Sequence, residues 1–168
     1  MILMTSRNAL LMPVAAAAPL LWILRESRTA FAAHREQEAR KLAPGDFLFL
    51  YTTRGCFGNP SRDRGRIIAK TVVLAPAASV DPPVRFADRE YPLVVRLEIL
   101  TLAPFRTGLE LSPLVPRLPV TFPRAHGWAV RLRRALVPVD SAEADMLDQL
   151  LAPLTEPYPL ALTSYEEV

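Results

Sequence analysis

Between Asp46 and Thr53 the chain runs Phe47, Leu48, Phe49, Leu50, Tyr51 without a charge. Alternate residues of a strand point to opposite faces, so Phe47, Phe49 and Tyr51 share one face while Leu48 and Leu50 share the other. Both faces are apolar, and the segment therefore reads as a strand buried on each side. Pro44-Gly45 ahead of it is a turn that ends a charged, helically spaced segment, His34 to Leu42, with Ala39 inside it. Arg66 to Leu74 reads as the next strand, with Ile67, Ala69, Thr71 and Val73 on one face, and Pro92 to Leu102 as a third, long one.

The remaining pattern is shorter in period. Met1 to Ser6 suits a first strand, broken by Arg7-Asn8. Pro13 or Pro19 opens a helix whose buried stripe is Leu20, Leu21, Ile23 and Leu24, ending near Ser27. Thr29 to Ala33 fits a short strand. Gly55 to Arg64, which contains Gly58-Asn59-Pro60, and Pro76 to Pro83 read as loops. Leu111 to Leu118 fits a short helix before Val120 to Phe122. Gly127 to Val137 reads as the last strand, with Trp128, Val130 and Leu132 on one face and Ala129, Arg131 and Arg133 on the other. A closing helix follows, capped by Asp140 or Ser141, with Met146, Leu147, Leu150 and Leu151 as its stripe. Five or six strands with two to four short flanking helices, mostly too close for repeated βαβ units, predict an α+β fold built on a small mixed or antiparallel barrel. Residues 1–152 form a single domain in this reading, and 153–168 an irregular C-terminal tail.

Composition sharpens this picture. A chain of 168 residues, 51% apolar, holds one compact domain, and two would be cramped. Seventeen prolines forbid long uninterrupted helices. Net charge is only +3, but the cations are eighteen arginines to two lysines. A GC-rich genome inflates arginine together with alanine and proline; what it does not explain is clustering. Leu111 to Val139 contains Arg117, Arg124, Arg131, Arg133, Arg134 and His126 with no acid at all, and Arg54 to Lys70 carries four arginines and a lysine against Asp63 alone. The acids gather around Asp140 to Asp148 and in the tail. Such segregation is what an anion-binding face requires.

The single cysteine, Cys56, excludes an internal disulfide, and with only His34 and His126 to help it cannot build a zinc site. A reducing compartment is the default. Ala9 to Leu24 is free of charge and imitates a signal peptide, but it is broken by Pro13 and Pro19 and followed by Arg25-Glu26-Ser27-Arg28 before any small-residue cleavage site. The expectation is a cytoplasmic protein without a membrane segment.

Pro44-Gly45-Asp46 with Phe47 to Tyr51, Arg64-Gly65-Arg66-Ile67-Ile68-Ala69, Tyr91 to Leu97, Leu111 to Val115, and Trp128 through Leu136 leading to Asp140 and a closing helix together resemble the PUA-like superfamily. Within it they are similar to the EVE domain, a relative of the YTH and ASCH modules. The resemblance covers most of residues 1–152, and departs from the commoner EVE pattern in placing Arg62-Asp63-Arg64 in a long loop. It implies a bacterial module that binds DNA or RNA, a barrel pocket that accepts one extruded nucleobase, often modified, and a basic rim that holds the backbone. No cofactor or metal is implied.

A pocket for an extruded base needs a flat apolar wall, fixed partners for the base edge, and cations for the flanking phosphates. Tyr51, Thr52 and Thr53 lie where the buried strand surfaces; Tyr51 is either the end of such a wall or an ordinary barrel tyrosine. Arg7 and Asn8 end the expected first strand, where Asn8 either reads a base edge or caps a turn. Phe57 either stacks on a base or folds back over the barrel mouth. Trp128 serves the core or the pocket. Arg54, Arg62, Arg64, Arg124, Arg131 and Arg133 are the candidates for the nucleic-acid backbone. No complete catalytic constellation is present, which argues for a binding module. Two rivals stand beside it. An ASCH-like small hydrolase of acylated nucleosides would need a lysine or a carboxylate-assisted nucleophile in the pocket, and the only lysines are Lys41 and Lys70. A protein-interaction module would use the apolar helix Pro19 to Leu24 as a docking face.

Overall fold

The computed structural model describes residues 7–166, so the strand expected at Met1 to Ser6 lies outside the described residues. The first described strand, β1 (Ala9–Val14), occupies sequence expected to lead into a helix. Pro13 is tolerated there because β1 pairs with its second neighbour only from Ala9 to Leu11, leaving its far end an edge. The helix itself, α1 (Ala17–Glu26), starts later. Pro19 sits in its first turn, where a missing N–H breaks no intrahelical bond. Ser27 closes it in the left-handed region at φ 53° and donates its N–H to Ile23 O at 2.9 Å. β2 (Arg28–Phe31) follows, then a 3₁₀ turn and α2 (Glu36–Arg40).

Pro44-Gly45 makes the expected turn, with Gly45 at φ +93° and Asp46 N–H returning to Ala43 O at 3.0 Å. It delivers β3 (Phe47–Thr52), and beyond the Gly55–Arg64 loop come β4 (Arg66–Val73), β5 (Ala78–Phe86) and β6 (Arg89–Leu102). The span Pro76 to Pro83, expected to be a loop, falls largely within β5. Proline did not exclude a strand here because β5 pairs with β6 alone, and its register shifts between Ser79 and Val84, around Pro82 and Pro83. The short β7 (Leu109–Glu110) precedes a 3₁₀ segment at Ser112–Arg117, the expected short helix in tighter form.

The largest departure is Gly127 to Val137. In place of a strand, Trp128–Arg133 is a 3₁₀ turn entered through Gly127 at φ +74°, and only β8 (Val137–Val139) is extended. α3 (Ser141–Leu151) is capped by Asp140, whose Oδ2 accepts from Glu143 N–H at 3.2 Å, as expected. The tail expected to be irregular carries regular elements over its described residues instead. A two-residue β9 (Glu156–Pro157) and α4 (Tyr158–Leu162) lead to Tyr165, which is buried and donates its hydroxyl to Ala103 O at 2.7 Å.

The sheet runs β2-β6-β4-β3-β1-β8, with β5 and β9 added on β6 and β7 on β4. The β1–β3 pair is parallel and every other pair antiparallel. β6 pairs with β2 and β5 along one stretch and with β4 and β9 along another, which curls the sheet into a half-barrel with short helices around it. This is the α+β architecture the sequence predicts, and its main path has six strands. β3 is buried on both faces, as its pattern requires. Leu48 and Leu50 enter a core shared with α1 and β6, whereas Phe49 and Tyr51 enter a second core shared with Leu11, Phe122, Val137 and Leu147. No helix among the described residues is long and apolar enough to cross a membrane, and no group of three metal-ligating side chains gathers there.

Candidate functional site

The β3–β4 register shifts between Leu50 and Tyr51: Leu50 faces Ala69, but Tyr51 faces Ile67, so Ile68 is the extra residue of a bulge. Bulges re-aim the side chains beside them. Tyr51 lies next to this one, on the second-core face of β3, and lines a cavity of about 640 Å³ that opens at the strand's end. Its ring lies against the backbone of Gly65, where a Cβ would collide with the phenol oxygen and stand 2.7 Å from Cζ. Burial pushes the Tyr51 phenol above its ordinary pKa, and the Arg54 guanidinium pulls it part of the way back. The group is therefore a neutral hydroxyl at physiological pH, able to donate and accept.

The opposite wall comes from the 3₁₀ turn. Trp128 stacks edge-on against buried Phe122, ring centroids 5.6 Å apart, and presents its remaining surface to the cavity with Ala129, Leu132 and Arg133. The turn is gripped from α2 and the residue before it: Arg35 donates to Arg133 O at 3.1 Å, Glu38 accepts from Leu136 N–H at 3.2 Å, and Arg35 and Glu38 pair with each other at 3.0 Å. Phe122 is held in turn through Glu143. The N3 carboxylate of α3 does not reach back to the Asp140 N–H, as in a capping box. It accepts instead from Val120 N–H at 3.0 Å and Thr121 N–H at 2.8 Å, while Asp140 N–H goes to Thr121 Oγ1.

The structure brings Tyr51, Thr53, Arg54, Arg64, Trp128 and Arg133 to this one cavity. It adds Glu110 and Ser112, which the sequence did not single out; Glu110 is exposed, makes no ion pair among the described residues, and sits across the ladder from Arg66. The signal for it was faint, an isolated acid just before the acid-free stretch. Arg62 and Arg124 are exposed but do not line the cavity. Arg131 is half-buried with its Nε shielded from solvent and unpaired.

Four candidates lie elsewhere. Thr52 is buried on the other face of β3, its hydroxyl donating to Arg66 O. Phe57 folds back against Phe105, centroids 4.9 Å apart, and packs on the first core. Arg7 and Asn8 lie beside Phe47, at the start of the parallel β1–β3 pair, with Asn8 O accepting from Phe47 N–H at 2.8 Å. Five residues of strand, roughly 16 Å, separate that end from Thr52. They line a separate cavity of about 870 Å³. Lys41 lines this second cavity as well, and Lys70 is paired with Asp148 at 3.0 Å over the Phe47 ring, so neither lysine lines the Tyr51 cavity. The stripe of α1 is not a docking face either, since Leu20, Ile23 and Leu24 are buried in the first core.

No family model matches the chain, and no curated protein matches it in sequence. Solved structures do. The chain is similar to the YTH domain of mmi1, solved with RNA, at TM-score 0.59 and 9% identity over 86% of this chain and 81% of that one. It is similar to human THYN1, solved with DNA containing 5-methylcytosine, at TM-score 0.52 and 16% identity over 85% of this chain and 96% of that one. A Pseudomonas syringae protein matches at TM-score 0.58 and 15% identity over 84% and 98%. The fold is PUA-like.

Proposed function

We infer that this chain binds nucleic acid and takes a single nucleobase, a modified one, into the cavity lined by Tyr51 and Trp128. The observation that carries the reading is the composition of that cavity: two aromatic side chains, one on β3 and one on the 3₁₀ turn, with Arg54, Arg64 and Arg133 exposed at its edge. About 640 Å³ lies within the ~300–1,000 Å³ of ordinary small-ligand pockets. Apolar rings supply a stacking surface that any base can use. Thr53, Ser112, the neutral Tyr51 hydroxyl and the Glu110 carboxylate supply donors and acceptors for a base edge. The guanidiniums neutralise the phosphates on either side of an extruded nucleotide, with Arg62 and Arg124 extending the cationic surface. That the similar YTH domain was solved with RNA, and THYN1 with methylated DNA, supports the same class of ligand here.

The test separates pocket from rim. In fluorescence-anisotropy titrations against modified and unmodified oligonucleotides at two salt concentrations, Arg133→Ala is expected to weaken binding to all of them alike and to lower the salt slope by about one. Tyr51→Ala is expected to remove the preference for a modified base while leaving the salt slope unchanged. If both variants weaken every oligonucleotide in the same proportion, the binding is electrostatic and the cavity has no part in it.

A further inference from the structure

At the end of β3 away from Tyr51, the start of the parallel β1–β3 pair opens into the second cavity, whose lining shares no residue with the first. Its floor is apolar: Leu42, Leu136, Val139 and Ala144 are buried there, beside half-buried Leu10 and Phe47. Most of its acids are engaged. Asp46 accepts from Asn8 and Ala43 N–H, and Glu38 pairs with Arg35 and accepts from Leu136 N–H. Asp145, exposed at the edge, is the one lining acid without a partner among the described residues. The cations are engaged differently. Arg7, Lys41 and Arg134 are exposed and make no ion pair among the described residues, and Arg7 is steadied by the Phe47 ring, 5.6 Å from its guanidinium. They come from three stretches of chain, one before β1, one after α2 and one after the 3₁₀ turn, and the fold brings them to one cavity.

Three cations against one such acid leave the cavity with an excess of positive charge above an apolar floor. An apolar recess with a few convergent charged groups, about 870 Å³ in volume, has the ordinary form of a small-molecule site. A bare inorganic anion would leave the floor wet, and a neutral apolar molecule would leave the cations without a partner. We propose that this cavity is a second ligand site, for a small organic anion: a carboxylate, sulfonate or phosphate-ester head met by Lys41 and Arg134, with an apolar body laid on Leu10, Phe47 and Leu136. The hydrogen bonds to such a head are charge-assisted, about twice as strong as neutral ones. The site stands apart from the pocket reading above and does not rest on it. Its place in the fold is nonetheless adjacent, because Arg35 and Glu38, which line it, also grip the 3₁₀ turn that carries Trp128.

The experiment uses the full chain and anilinonaphthalene sulfonate, an apolar anion whose fluorescence rises as it leaves water. Phenylnaphthylamine supplies a similar body without the charge, and inorganic sulfate the charge without the body. Saturable binding of the sulfonate is expected, about tenfold tighter than phenylnaphthylamine, with sulfate displacing it no better than chloride at matched ionic strength. Arg134→Ala and Lys41→Ala are each expected to weaken the sulfonate about tenfold, Arg134→Lys by about threefold at most, and Tyr51→Ala not at all. Thermal melts of the Arg134 and Lys41 variants should match the wild type because both side chains are exposed. The site is overturned if phenylnaphthylamine binds as tightly as the sulfonate, if neither alanine variant weakens the sulfonate, or if Tyr51→Ala weakens it as much as they do. Oligonucleotide titrations in parallel keep the two readings apart. A wild type that discriminates among oligonucleotides but binds no sulfonate sinks the second site alone, and one that binds the sulfonate but no oligonucleotide sinks the pocket reading alone.

Discussion

At Gly65 the chain has no side chain because Tyr51 already fills the space one would take. Tyr51 is only 4% exposed, so its ring has little room to retreat. Gly65→Ala is therefore expected to destabilise the fold by about 1–3 kcal/mol, the usual range for overpacking, and to push the phenol into the cavity. A denaturant midpoint reports the first effect, and a lost preference among oligonucleotides the second. The sequence marked both partners, Tyr51 as the end of a buried strand and Gly65 within Arg64-Gly65-Arg66, but nothing in local pattern says that two residues fourteen apart share one volume. Asp46 is similar. The turn at Pro44-Gly45 was legible, whereas the role of the carboxylate was not: it is 3% exposed and accepts from Asn8 N–H at 3.1 Å and Ala43 N–H at 2.9 Å, tying the turn to β1. Hydrogen bonds to a partner 38 positions away leave no local trace.

Among the elements, α3 shows how a local signal acquires a distant task. Asp140 and Glu143 have capping-box spacing, yet Glu143 holds Val120 and Thr121 and through them the Phe122 that backs Trp128. Burial pushes its carboxyl up, but the Thr121 hydroxyl and the Val120 and Thr121 N–H groups outweigh that, and the net shift is below the ordinary 4.5. A carboxyl whose folded pKa is depressed contributes stability that is fully present above its unfolded pKa and is lost as pH falls through the folded one. Glu143→Gln is accordingly expected to be less stable than wild type by about 1–3 kcal/mol at neutral pH, with the gap closing as pH drops below 4.5. Denaturant midpoints at pH 7 and pH 3 check it; a gap that does not narrow would assign the loss to packing. The strand expected over Gly127 to Val137 failed for a related reason. Alternation of Trp128, Val130 and Leu132 with Ala129, Arg131 and Arg133 fits a two-residue period, but tertiary contacts chose three: Phe122 against Trp128 at one end, and Arg35 and Glu38 at the other. Gly127, at φ +74°, was the one local sign of a turn.

On the scale of the whole molecule, charge and apolar pattern were the legible quantities. A strand apolar on both faces predicted a sheet covered on each side, and β3 lies between two cores. Segregated arginines predicted a cationic face, and Arg54, Arg64 and Arg133 meet at one cavity although they come from two separate segments, the β3–β4 loop and the 3₁₀ turn. Arg7 and Asn8 did not join them because β1 runs parallel to β3, which sets the start of one strand beside the start of the other and away from Tyr51. Strand direction is fixed by the long-range pairing of the sheet, and residue spacing does not encode it.

The central claim is that a base enters the cavity beside Trp128. Trp22, against Phe86 and beneath Arg28, is the only other tryptophan, so Trp22→Phe leaves a single reporter in place. Fluorescence of that variant is to be titrated with a base-modified oligonucleotide and, at matched salt, with heparin as a polyanion without bases. Saturable quenching by the oligonucleotide and none by heparin is the predicted result; equal responses to both, or no response while the oligonucleotide demonstrably binds, would contradict it.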